Sequence, residues 1–252
     1  MNRNTLVGLV ALVVISAGAA VYYGLRPAPA QAPGSTVTTT LTNPYTEHGA
    51  YHDVTASYPT TAPLAAPAGE AAVNAMQGWV IETVGRFKSE THAEDPAPED
   101  IVAMGFDRGR RVSLEITYRT FSAPRTVSYA FTTYQDTGGA HGNTFFRTFT
   151  FDTQTGQEHS LSDLFAPNAG YLDTLSDVAR AKLPGTLGDM ADAGMIDNGT
   201  APVVANFESW YLDGSTLVIL FPPYAVAPYA AGPQTLSIPL ADLASILKPD
   251  YR

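Results

Sequence analysis

The chain reads as an α+β protein, with mostly antiparallel sheet and helices packed on one face, after an N-terminal membrane anchor or signal segment. Three observations predict this. Strand-period runs follow one another at hairpin spacing, at Val112–Tyr118, Val127–Thr133 and Thr144–Asp152, instead of alternating singly with helices. Helix-period stretches stand apart from them, with apolar residues at Val73, Met76, Val80, Val84 and Phe87 and again at Leu172, Leu175, Ala179 and Leu183. Near the start, Thr5 to Tyr23 is uncharged and apolar, close to the roughly 20 residues that a membrane-crossing helix needs.

Composition narrows the function. In 252 residues, 45% are hydrophobic, enough for a sizeable core. A net charge of −10 excludes nucleic acid as an expected partner, because phosphates would be repelled, and suits a basic protein partner. The absence of cysteine removes disulfides, thiolate metal sites, cysteine nucleophiles and lipidation at an N-terminal cysteine.

Arg3 precedes the apolar run, and Tyr22 and Tyr23 stand where interfacial aromatics are usual, so residues 1–25 are expected to anchor the chain through residues 5–25. The small-x-small patterns Ala17-Gly18-Ala19 and Ala28-Pro29-Ala30 leave a cleaved signal peptide as the alternative. The expected location is therefore the cell membrane, single-pass with the bulk of the chain extracytoplasmic, or a secreted or periplasmic state after cleavage. Residues 26–40, rich in Pro, Ala, Ser and Thr, are a linker.

The folded part follows in order. Ala50 to Tyr58 alternates as a strand ended by Pro59, and the Val73–Phe87 stripe is a helix that should cross a sheet. His92 to Asp100 reads as an acidic loop. Ser122-Ala123-Pro124-Arg125 turns between the first two strands of the meander, and Ser160–Asp163 has capping-box spacing for a short helix. Asn168 could cap the next helix and Pro184 would stop it. Gly185 to Thr200 reads as a mobile acidic loop. A last hairpin, Val203–Leu212 and Ser215–Phe221 about Asp213-Gly214, is expected to complete the sheet, and Leu240, Leu243, Ala244 and Leu247 to form a closing helix.

Thr133 to Phe165 joins a glycine-framed histidine, an aromatic strand, a turn and a helix start. In Gly138-Gly139-Ala140-His141-Gly142 the glycines imply positive φ or close approach around one placed imidazole. This loop, the strand end Phe151-Asp152 with Thr155-Gly156, and Leu161-Ser162-Asp163-Leu164-Phe165 resemble the RsiV-like family of bacterial extracytoplasmic domains. So does the run Phe221 to Pro233 with Ile238-Pro239-Leu240-Ala241-Asp242-Leu243. The resemblance covers residues 109–252; residues 41–108 resemble, on fewer features, a PdaC-type domain. It implies an outer domain that binds lysozyme and, inside the cell, a sigma-factor-binding segment. Only Met1 to Asn4 precede the apolar run, so no sigma factor is expected as a partner. No metal-binding deacetylase signature accompanies the PdaC-type stretch.

Ligand contact is expected at Gly138, Gly139, His141, Tyr224 and Tyr229, the two tyrosines being held on stiff proline-set backbone. The expected function is a non-enzymatic binding domain for a cell-wall hydrolase such as lysozyme, or for cell-wall glycan (a peptidoglycan fragment), with no cofactor. The alternative is an envelope hydrolase using His141 with Glu158 or Asp152. No metal is expected: His48 and His52 on one strand would stand roughly 13 Å apart, and Asp189, Asp192 and Gly194 lack the ligand order of a calcium loop. No serine lies in Gly-x-Ser-x-Gly.

Overall fold

The computed structural model describes residues 45–252. The expected anchor, residues 1–25, and the linker, residues 26–40, lie outside the described residues; among those described, no helix is long and apolar enough to cross a membrane. The first sheet has the order β1 (Tyr45–His48), β2 (His52–Ala56), β3 (Val112–Ala123), β4 (Thr126–Asp136) and β5 (Asn143–Asp152). All neighbours are antiparallel except β2 and β3. That parallel pair requires a crossover, supplied by helix α1 (Ala68–Thr91). As expected, Val73, Met76, Val80, Val84 and Phe87 are its buried stripe. Met76, Val80, Val84 and Phe87 meet the sheet's inward residues Val54, Leu114, Ile116, Phe131 and Phe149. A short helix, α2 (Pro98–Ala103), takes up the end of the acidic loop. The expected division between residues 108 and 109 thus falls inside one sheet, since β2 pairs with β3 across it.

The last hairpin does not complete this sheet. Strands β6 (Trp210–Asp213), β7 (Thr216–Phe221) and β8 (Gln234–Pro239) form a separate three-stranded sheet laid on the other face of the first. Strand β6 begins only at Trp210, because Val204–Phe207 is a 3-10 turn. Its outward N–H groups are met from the first sheet: Trp210 N donates to Thr148 Oγ1 at 3.0 Å, Leu212 N points at Ser128 Oγ at 3.5 Å, and Gly214 N donates to Ser122 O at 2.9 Å. A strand edge buried against another sheet would otherwise orphan these donors, which explains a row of buried Ser and Thr in an apolar interface. Beside this row, Phe121 stacks on Tyr211 at 3.9 Å between centroids, with Ala130 and Val218 packed around them.

The far face of the second sheet carries Leu212, Leu217, Ile219 and Ile238 against helix α3 (Tyr171–Leu187), through Leu175, Ala179 and Leu183. Each sheet therefore has its long helix on one face and turns the other to its neighbour. Several local expectations are corrected. Gly170, at φ 62°, is the N-cap of α3 in place of Asn168, and Pro184 lies inside the helix, which runs on to the buried Leu187. Gly185–Thr200 is ordered, because Asp192 caps helix α4 (Ala193–Gly199) by accepting from Met195 N at 2.8 Å. The Ser160–Asp163 capping box is present but starts a 3-10 turn, Leu161–Leu164. The closing helix is a 3-10 turn, Leu240–Leu243, after which Leu247 bridges Phe165.

Candidate functional site

The loop from Thr137 to Gly142 joins β4 to β5 and is shaped by two glycines for two reasons. Gly138 adopts φ 87°, with its N–H donated to Asp136 Oδ1 at 2.8 Å. Gly142 lies under Tyr134, so that a Cβ there would stand 2.2 Å from the phenol oxygen. Gly139 contributes its carbonyl, which accepts from the Arg110 guanidinium at 2.6 Å. Arg110 and Tyr134 went unrecognised in the sequence; the only signal was Tyr134's place at a strand end on the loop.

The loop presents His141 to the Pro-aromatic run. The imidazole stacks on Tyr229 with centroids 3.9 Å apart and planes at 26°, and Tyr229 OH donates to Gly142 O at 2.7 Å. His141 Nδ1 lies 2.9 Å from the same carbonyl, which can only accept, so Nδ1 carries a proton. Nε2 then faces Tyr224 OH at 3.4 Å. Tyr224 is 53% exposed and sits at φ 70°, a conformation that costs a non-glycine residue about 1–2 kcal/mol. The turn is closed by Ala225 N donating to Pro222 O at 3.1 Å. Tyr224 and Tyr229 are 5.5 Å apart, so three rings form one tilted surface. Two stretches far apart in the chain, each a predicted ligand contact, are thus brought together.

The structure does not assemble the hydrolase pairing. Asp152 and Glu158 lie at the opposite end of β5 from His141, roughly 30 Å away at ~3.3 Å per residue. Asp152 is 2% exposed and is spent on structure, accepting from Gln154 N, Thr155 N and Arg125. Burial opposes its ionisation, but those backbone N–H groups and the guanidinium prevail and hold the carboxyl down at about 2. Glu158 pairs with Arg147 at 3.3 Å, and burial pushes its carboxyl up. His159 is engaged by Tyr251 OH at 2.8 Å.

His48 and His52 are not on one strand: they sit on β1 and β2, either side of a hairpin turn. His48 pairs with Asp53 at 2.8 Å, while the buried His52 bonds Glu47 Oε1 at 2.7 Å. Glu47, His52 and Glu94 offer ligand atoms within 4.8 Å of one another, but Lys88 Nζ already stands 2.8 Å from Glu47 and 2.6 Å from Glu94. Hydrogen bonds from Lys88, Tyr45 and His52 hold Glu47 at about 2. The cluster carries its own cation and works as a clamp between β1 and the end of α1.

Two family models match, one described as deacetylase PdaC over residues 45–144 and one described as a protein of unknown function, DUF3298, over residues 162–241. A curated relative, the peptidoglycan-N-acetylmuramic acid deacetylase PdaC of Bacillus subtilis (strain 168), is 33% identical over 179 residues, or 71% of this chain. The chain spans only 36% of that relative's length. Crystal structures of DUF3298 family members share the fold. One from Bacteroides fragilis NCTC 9343 has a TM-score of 0.56 at 19% identity, covering 85% of this chain and 94% of that one. One from Pseudomonas aeruginosa PAO1 has a TM-score of 0.55 at 16% identity, covering 86% and 93%. The first sheet with its crossover helix thus lies largely within the stretch that the PdaC model matches, and the second sheet within the stretch that the DUF3298 model matches.

Proposed function

We propose that this chain is an extracytoplasmic binding module that recognises the glycan of the cell wall through the surface made by His141, Tyr224 and Tyr229. The observation that carries this reading is Tyr224, an exposed ring held at positive φ beside a stacked His–Tyr pair. Backbone strain kept at a solvent-facing aromatic is favoured where the ring's position matters to a ligand. Rigid rings with hydroxyls at their rims suit sugar rings, which offer apolar faces and polar edges. The name of the Bacillus relative supports peptidoglycan as the ligand class. Both stretches also belong to the motifs that resemble RsiV-like domains, and the apolar run Thr5–Tyr23 supports anchoring at the membrane. Catalysis is not part of the proposal, because no carboxylate comes to His141 among its described contacts.

A second reading, a basic cell-wall hydrolase such as lysozyme as the partner, is favoured by the net charge of −10. Calorimetric titration of the full chain with soluble peptidoglycan glycan fragments and with lysozyme, at two salt concentrations, separates the two. Saturable glycan binding that changes little with salt and is lost in Tyr224→Ala is the expected result. Salt-weakened binding to lysozyme alone would transfer the assignment to the second reading, and binding to neither would overturn both.

A further inference from the structure

A second surface lies away from the aromatic cluster, along the free edge of β5. The outward backbone groups of this strand belong to alternate residues. At its end they are used: His159 N donates to Thr150 O at 2.7 Å and Asp152 N to Gln157 O at 2.9 Å, so residues 157–159 act as a short added strand. That strand stops before Thr148. Upstream, Phe146 O accepts from Ser209 Oγ at 3.2 Å. The N–H and C=O of Thr148 point the same way as those of Thr150, and no protein partner meets them among the described residues.

These groups face a cleft of about 460 Å³. Its walls differ in chemistry. The 63%-exposed Val204 forms an apolar side, backed by the buried Phe207 and Trp210, while Glu158 and Glu208 give the rim more negative than positive charge beside Arg147. An extended strand laid against β5 would direct successive side chains alternately to the two walls.

We propose that this cleft binds an extended peptide segment of another protein, which pairs with Thr148 as an added strand, sets an apolar side chain against Trp210 and Val204 and turns a neighbouring basic side chain toward Glu158. The acidic charge of the whole chain favours the same partner chemistry. The backbone bonds supply affinity for any extended segment, and the two walls select its sequence.

The test is to pan the full chain against phage-displayed random heptapeptides, then measure the enriched peptides by fluorescence anisotropy and follow amide hydrogen exchange. Heptapeptides alternating apolar and basic residues should be enriched and should slow exchange at the Thr148 amide. Binding should fall at least ten-fold with Val204→Arg, which places a cation on an exposed wall position, and equally when the peptide's β5-facing amides are N-methylated. Tyr224→Ala should leave it unchanged, which keeps this result separate from glycan binding. The proposal is overturned if no peptide is enriched, if Val204→Arg and N-methylation leave binding intact, if Tyr224→Ala abolishes it, or if the Thr148 amide is already protected in the free chain.

Discussion

At the scale of single residues, position and charge can be assigned to separate tasks. Tyr224 holds a left-handed conformation that asparagine tolerates better than tyrosine. Tyr224→Asn is therefore expected to keep or raise stability, by up to about 1 kcal/mol in a urea titration, while weakening glycan binding at least ten-fold; a loss of stability would show that the ring is there for packing. Asp152 has the opposite character. Its carboxyl is held at about 2 against an ordinary 3.8, so its contribution is complete above about pH 4 and fades as the pH falls toward 2. That difference is worth about 2 kcal/mol at neutral pH, and Asp152→Ala should cost about 3 kcal/mol there because it also removes the acceptor for Gln154 N and Thr155 N, while Arg125 keeps Asp250. The gap between variant and wild type should shrink by about 2 kcal/mol as the pH falls to 2. The sequence announced His141 through its glycines, whereas Asp152 looked like a catalytic candidate. Its commitment to Arg125, a distant residue, could not be read from spacing.

Elements were legible where their period was long and their face broad. The stripe Val73–Phe87 identified α1 because five buried residues recur over several turns. The second sheet was not legible as a sheet. Its β6–β7 hairpin was legible from Asp213-Gly214, but β8 ends on Pro239 and shows too little alternation to be told from loop. What separates the sheets is also invisible in a hydropathy pattern, since hydroxyls on β4 and β5 receive the edge of β6. Thr148→Val keeps the shape of the side chain and removes the acceptor for Trp210 N. It should cost about 1–3 kcal/mol in chemical denaturation, with the unfolding slope unchanged. At the loop, Gly142→Ala would force Tyr134 aside and displace the carbonyl shared by His141 and Tyr229. Glycan affinity should fall by more than stability does, as titration calorimetry beside thermal melting would show.

For the whole molecule, two family models map onto two stacked sheets, joined face to face by the hydroxyl row and the Phe121–Tyr211 stack. The wild type should melt in one calorimetric transition. Phe121→Ala removes the centre of that contact at a cost of about 3–4 kcal/mol, and the expected result is two separated transitions, one for each sheet. The parallel pairing of β2 with β3 has a consequence of another kind, for the order in which the chain folds. Strands β3, β4 and β5 follow one another through short turns, so their closure is entropically cheap and early. Strand β2 reaches its register, His52 opposite Val112, only after the whole of α1 has been spanned. The N-terminal hairpin is thus the last piece of its sheet to dock and the first to leave, and its amides should report the fastest opening in native-state hydrogen exchange.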